Sequence, residues 1–166
     1  MNEAKFWEVI EKARGTSLTP EEHAQRLVAQ LVTTPPDDIR EFDRIVGTLL
    51  ARGNRGELRV AANLINDGPS DEEFLFFLGW LILQGREKFE AALKQADSIA
   101  EWIDTADVDN YECEDLLYAA ANAYETATGK DLPPSEWPKI GDTAKLIKLG
   151  TDVAKLLPKL SARWQD

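Results

Sequence analysis

Residues Phe74 to Leu83 (FLFFLGWLIL) form an unbroken apolar run that follows directly on Ser70-Asp71-Glu72-Glu73. That tetrapeptide is a capping box. The serine hydroxyl accepts the backbone N–H three residues on, and Glu73 reaches back to the N–H of Ser70. The spacing predicts a helix over 71–84. A helix that is apolar all round has no face to give to water, so other elements must wrap it. The run is also about half the ~20 residues that a membrane crossing needs. An all-α, single-domain multi-helix bundle with a central apolar helix near 71–84 is therefore expected.

The other helices follow from caps and periodicity. Thr19-Pro20-Glu21-Glu22 is a second capping box, with proline at the first helical position. Phe6, Val9, Ile10 and Ala13 share a face over 3–14, which Gly15 ends. Ala24, Leu27, Val28 and Leu31 do so over 20–32, up to Pro35-Pro36. A helix opened by Asp37 or Asp38 turns Phe42, Ile45, Val46, Leu49 and Leu50 inward. Shorter helices are expected over Glu57 to Asn66, Arg86 to Lys94 and near Ser98 to Ile103, with a longer one near Tyr111 to Thr128. Eight to ten helices result, and no segment alternates with period two as a half-buried strand would.

Three parts are distinguished: a helical core domain over 1–130, a Pro-rich joint over 131–138 and an amphipathic C-terminal helix within 139–166. In the last, Leu146, Leu149, Val153, Leu156 and Leu160 recur at +3 and +4 spacing, and Lys145, Lys148, Lys155 and Lys159 lie off the stripe. Pro158 should end or kink it. This helix is expected to pack on the domain near its acidic half. The alternatives are a helix that docks on a partner, using 142–160, and a membrane-surface helix. Among the five tryptophans, Trp80 is read as core, and Trp137 and Trp164 as staples for joint and tail.

Charge is unevenly placed. The chain carries 30 acidic and 19 basic side chains, a net charge of −11. No Lys or Arg occurs from Gln95 to Gly129, a stretch that holds Asp97, Glu101, Asp104, Asp107, Asp109, Glu112, Glu114, Asp115 and Glu125. Nucleic acid is not an expected partner, because phosphate binding needs clustered Lys and Arg. No membrane partner is expected either. The N-terminus (Met-Asn-Glu-Ala-Lys-Phe-Trp) shows no apolar signal region. The lone Cys113 cannot form an internal disulfide and fits a reducing compartment. A cytoplasmic location follows by default, as does a monomer.

Chemistry is bounded mainly by exclusion. With one histidine (His23) and one cysteine, the chain cannot assemble a His/Cys zinc site. It has no G-x-S-x-G elbow and no Gly-rich phosphate loop. No cofactor, no metal and no catalytic residue is assigned. Counted from Asp107, the EF-hand pattern fails, since Glu112 stands where glycine is required and Tyr118 where the terminal glutamate is required. The acids Asp97, Glu101, Asp104, Asp107, Asp109, Glu112 and Asp115 are read as a partner-binding surface. Glu114, Tyr118 and Glu125 fall on one helical face. With Arg86 and Glu87 they are candidates to line a polar pocket, or to form a buried network that fixes packing.

Several segments occur together in a distinctive order: Phe6-Trp7-Glu8-Val9-Ile10, Asn63-Leu64-Ile65-Asn66-Asp67-Gly68-Pro69-Ser70-Asp71, Gly79-Trp80-Leu81-Ile82-Leu83-Gln84-Gly85-Arg86-Glu87 and Glu112-Cys113-Glu114-Asp115-Leu116-Leu117-Tyr118-Ala119-Ala120. Over about residues 1–130 the chain resembles a bacterial family of small helical proteins, frequent in actinomycetes, classed as a domain of unknown function. Arg55-Gly56-Glu57-Leu58 departs from it in lacking aromatic residues. The resemblance implies a helical fold and supplies no activity. The expectation is a non-enzymatic acidic binding protein, such as an immunity or inhibitor protein that neutralises a basic toxin or nuclease-like partner. The alternatives are an enzyme or small-ligand binder at Arg86, Glu87, Glu114 and Tyr118, and a helical adaptor docking through 142–160.

Overall fold

The computed structural model describes residues 1–16, 19–105, 111–142 and 150–164. Its helices are α1 (Glu3–Ala13), α2 (Pro20–Val32), α3 (Pro36–Gly53), α4 (Gly56–Ile65), α5 (Asp71–Leu83), α6 (Arg86–Lys94), a 3-10 helix (Ala96–Glu101), α7 (Asp115–Thr128), α8 (Val153–Leu156) and α9 (Pro158–Arg163). Among the described residues there is no strand, so the chain is all-α. No helix among them is long and apolar enough to cross a membrane.

Both capping boxes close. Ser70 Oγ accepts the Glu73 N–H at 3.2 Å, and Glu73 accepts the Ser70 N–H at 2.6 Å. Thr19 and Glu22 do the same at 3.2 and 3.0 Å. The apolar helix α5 packs against α2, α3, α4, α6 and α7. Phe74, Phe77, Leu78, Leu81 and Ile82 are fully buried, which is how a helix without a polar face escapes water. Gly79 leaves room on one side. A Cβ there would lie 2.7 Å from the Cys113 carbonyl oxygen, so only glycine lets the 111–114 segment cross the helix this closely.

The helix expected from Tyr111 starts only at Asp115. The Tyr111 N–H is taken by Asn66 Oδ1 at 3.0 Å, and the Cys113 N–H by the Phe76 carbonyl at 2.9 Å. The Tyr111 carbonyl, which a helix starting there would offer to the Asp115 N–H, accepts from Asn66 Nδ2 at 3.2 Å instead.

The Pro-rich segment is more than a joint. It runs along α3 without helix or strand, and the Trp137 indole N–H donates to the buried Asp43 carboxylate at 3.1 Å. The ring lies where Gly47 has no side chain; a Cβ there would be 2.3 Å from Trp137 Cγ.

The single amphipathic helix expected over 142–160 is not formed across the described part of that range. Residues 143–149, with Lys145, Leu146, Lys148 and Leu149, lie outside the described residues. Beyond them α8 stops at Leu156 and α9 starts at Pro158, with Leu157 between them at φ −129° and ψ 64°. Pro158 has no N–H to continue α8, and it disfavours helical backbone at Leu157. The break lets Leu157 and Leu160 both reach full burial. α9 lies on the 3-10 helix and touches α4.

Candidate functional site

The acids assigned to a partner surface meet different fates. Asp97 is 2% exposed, and its two oxygens accept the N–H groups of Lys159 (3.1 Å) and Leu160 (2.9 Å). It is a cap for α9 and not a partner-facing acid, which corrects the sequence expectation. The physical cause is that α9 begins at Leu157-Pro158 with no side-chain cap of its own, leaving first-turn N–H groups that need an acceptor. Glu101 is exposed but pairs with Lys159 Nζ at 2.6 Å, a bond that raises the lysine's pKa. Asp104 is exposed, and Asp107 and Asp109 lie outside the described residues. Glu112 is half-buried, and Asp115 is exposed at the start of α7.

Those last two belong to a larger assembly centred on Cys113. Its N–H meets the Phe76 carbonyl in α5, and its Sγ meets the Pro20 carbonyl at the start of α2, 3.6 Å away. α7 begins two residues later. The first turns of these three helices carry Glu21 and Glu22, then Asp71, Glu72 and Glu73, then Asp115. Burial, with Asp115 and Glu21 nearby, pushes the Cys113 thiol up to about 12. Burial, and after it Glu73, raises the Glu112 carboxyl. Charge at helix N-termini is favourable to each helix separately, and the fold gathers three such ends into one acidic face. A thiol held at about 12 stays protonated at neutral pH, so Cys113 is structural.

The proposed polar pocket is not assembled. Glu114 and Glu125 are exposed and Tyr118 is 51% exposed, along the outer face of α7. The opposite face, Leu116, Ala119, Ala120 and Ala123, is the one buried. Small alanines let α7 approach α2 and α3, and this burial turns 114, 118 and 125 to solvent. Arg86 and Glu87 are exposed on α6, where Arg86 pairs with Glu90 at 3.0 Å.

A cavity of about 350 Å³ lies elsewhere, between the C-terminal end of α1, the start of α2, the end of α5, α6 and the segment after the 3-10 helix. Its charged members are Arg14, Lys88 and Asp104. Trp80, Trp102 and Tyr111 supply an aromatic wall. The two indoles stack at 5.7 Å, and Tyr111 meets Trp80 edge-on at 5.3 Å. Lys88 Nζ sits 4.8 Å from the Trp102 ring centroid. Arg14 donates to the Leu83 carbonyl at 2.6 Å. His23 also lines this space; its Nε2 is 2.9 Å from the Ile10 carbonyl and so carries the proton. Sequence reasoning noted Trp80 and His23 but had no means to bring Arg14 and Lys88 together, since they are far apart in the chain. Among the described residues no three His, Cys, Asp or Glu side chains gather as metal ligands.

A family model described as "Protein of unknown function (DUF4240)" matches residues 1–126. The chain belongs to this family. The DUF4240 segment ends within the last turn of α7. It therefore contains the acidic face and every residue named above for the cavity, whereas the Trp137 strap, α8 and α9 lie beyond it. No curated protein and no solved structure matches the chain.

Proposed function

We propose that this chain is a non-enzymatic binding protein whose acidic face receives a basic protein. Within that reading it acts as an inhibitor, as an immunity protein would neutralise a basic toxin or nuclease-like partner. The observation that supports it is the convergence of the acidic first turns of α2, α5 and α7 around Cys113, with Glu112 held above its usual range by burial and Glu73. Like charges brought this close repel one another, and a Lys- or Arg-rich partner relieves that repulsion. Such a surface steers association and loses strength as salt screens it. The adaptor reading through 142–160 is not adopted, because Leu157 and Leu160, apolar side chains of this tail, are already buried against the body.

The test is capture of partners on the immobilised chain at about 50 mM and about 500 mM salt, where screening lengths differ severalfold. It is paired with a Glu21→Lys/Glu72→Lys variant. Neither residue is part of a capping box. A basic protein retained at low salt, shed at high salt and associating at least about tenfold more slowly with the variant is the expected result. Equal association with the variant would sink the reading.

A further inference from the structure

The cavity beside Trp102 is independent of the acidic face, and its chemistry is of the opposite sign. In a chain of net charge −11, Lys88 is half-buried and forms no ion pair among the described residues. It lies on the Trp102 ring instead. The neighbouring Arg14 adds a second positive charge, and both burial and Arg14 lower the lysine's pKa. Glu11 acts against this, but it is 3.7 Å from Arg14 Nη1, and Glu87 is exposed. Asp104 also lines the cavity and is exposed. A cation that is partly stripped of water and not matched by a carboxylate is costly to keep. Among the described residues that line the cavity, one acid, Asp104, stands against Arg14 and Lys88. The adjacent Trp102 Nε1–H is a further donor, buried with no partner among the described residues. Cations and donors over an aromatic wall match an anion with an apolar body. The volume, about 350 Å³, falls at the small end of ligand pockets.

We infer that this cavity binds a small organic anion, with its carboxylate or phosphate held by Lys88 and Arg14 and its apolar body against Trp80, Trp102 and Tyr111. Charge-assisted hydrogen bonds from the two cations fix the head group. The aromatic wall supplies apolar area that a bare inorganic ion cannot use. His23, whose pKa burial lowers, adds no positive charge of its own at neutral pH, so the head group is left to Lys88 and Arg14.

The test titrates the full chain with benzoate, phenyl phosphate, inorganic phosphate and benzamide, following the tryptophan indole N–H resonances. Benzoate or phenyl phosphate is expected to shift the Trp102 signal saturably. Benzamide, of the same shape without charge, and inorganic phosphate, charged without an apolar body, should each bind at least about tenfold more weakly. Lys88→Gln should weaken the aromatic anion by at least about tenfold, while Lys88→Arg keeps it within about threefold. An unchanged melting temperature shows that both variants fold. The proposal is overturned if benzamide binds as well as benzoate, if inorganic phosphate binds as well as phenyl phosphate, if Lys88→Gln leaves affinity unchanged, or if no probe saturates.

Discussion

His23 shows how one side chain's surroundings set its contribution. Burial holds its pKa below 6.5, outweighing the Ile10 carbonyl; Arg14 and Arg26 lower it further and Glu11 opposes them. The unfolded chain therefore takes up the proton at a pH where the folded one does not. The stability this ring contributes is complete above about pH 6.5 and is lost as pH falls through that value towards the depressed folded pKa. Urea midpoints at about pH 7.5 and about pH 5.5 should differ more for the native chain than for His23→Gln, since the glutamine cannot titrate. A variant with the same pH dependence would show that carboxylates alone cause it. Cys113 illustrates the same principle with a different outcome. Its thiol is pushed up to about 12 chiefly by burial, with Asp115 and Glu21 adding to this and the Leu116 and Asp115 backbone opposing it, and so stays protonated at neutral pH.

At the scale of elements, packing overrides local preference in two places. The segment that carries Trp137 has no helix or strand of its own. It is held by the Trp137 indole against Gly47 of α3 and by bonds to Asp43, whose carboxyl burial raises and the donors of Ser135 and Trp137 lower. Gly47→Ala should strengthen α3 as an isolated helix by about 1 kcal/mol. It should nonetheless eject the strap, because a Cβ 2.3 Å from Trp137 Cγ cannot be accommodated without moving the ring. Faster limited proteolysis within 131–138, with unchanged helical circular dichroism, is the expected outcome. An intact strap in the variant would mean that Trp137 has another seat. The same contest decides the start of α7, where Asn66 Nδ2 takes the Tyr111 carbonyl that a longer helix would use.

For the whole molecule, Asp97 is the stitch between the family segment and the tail beyond it. Asp97→Ala would leave the Lys159 and Leu160 N–H groups without their carboxylate acceptor, at a cost of about 2–3 kcal/mol, a sizeable share of the ~5–15 kcal/mol that holds a domain folded. The urea midpoint should fall accordingly, with Asp97→Asn intermediate because it keeps an acceptor oxygen. An unshifted Asp97→Ala would mean that Leu157 and Leu160 alone secure the tail. Helix class, the capped starts of α2 and α5 and the central position of α5 were all readable in the sequence. Each depends on neighbours within a few residues: a hydroxyl three positions from a glutamate, or apolar residues with no polar face. Which acids meet a partner was not readable. Asp97 and Asp115 look alike in the chain, yet one is buried under α9 and the other is exposed at the start of α7. The polar group expected around Arg86 and Glu114 failed for the same reason, since helical phase puts 114, 118 and 125 on one face without saying that the alanines opposite would be the ones to pack. Only the tertiary structure brought Arg14 to Lys88 and three acidic helix starts to Cys113, because contacts between residues distant in the chain are set by how helices pack and leave no local trace.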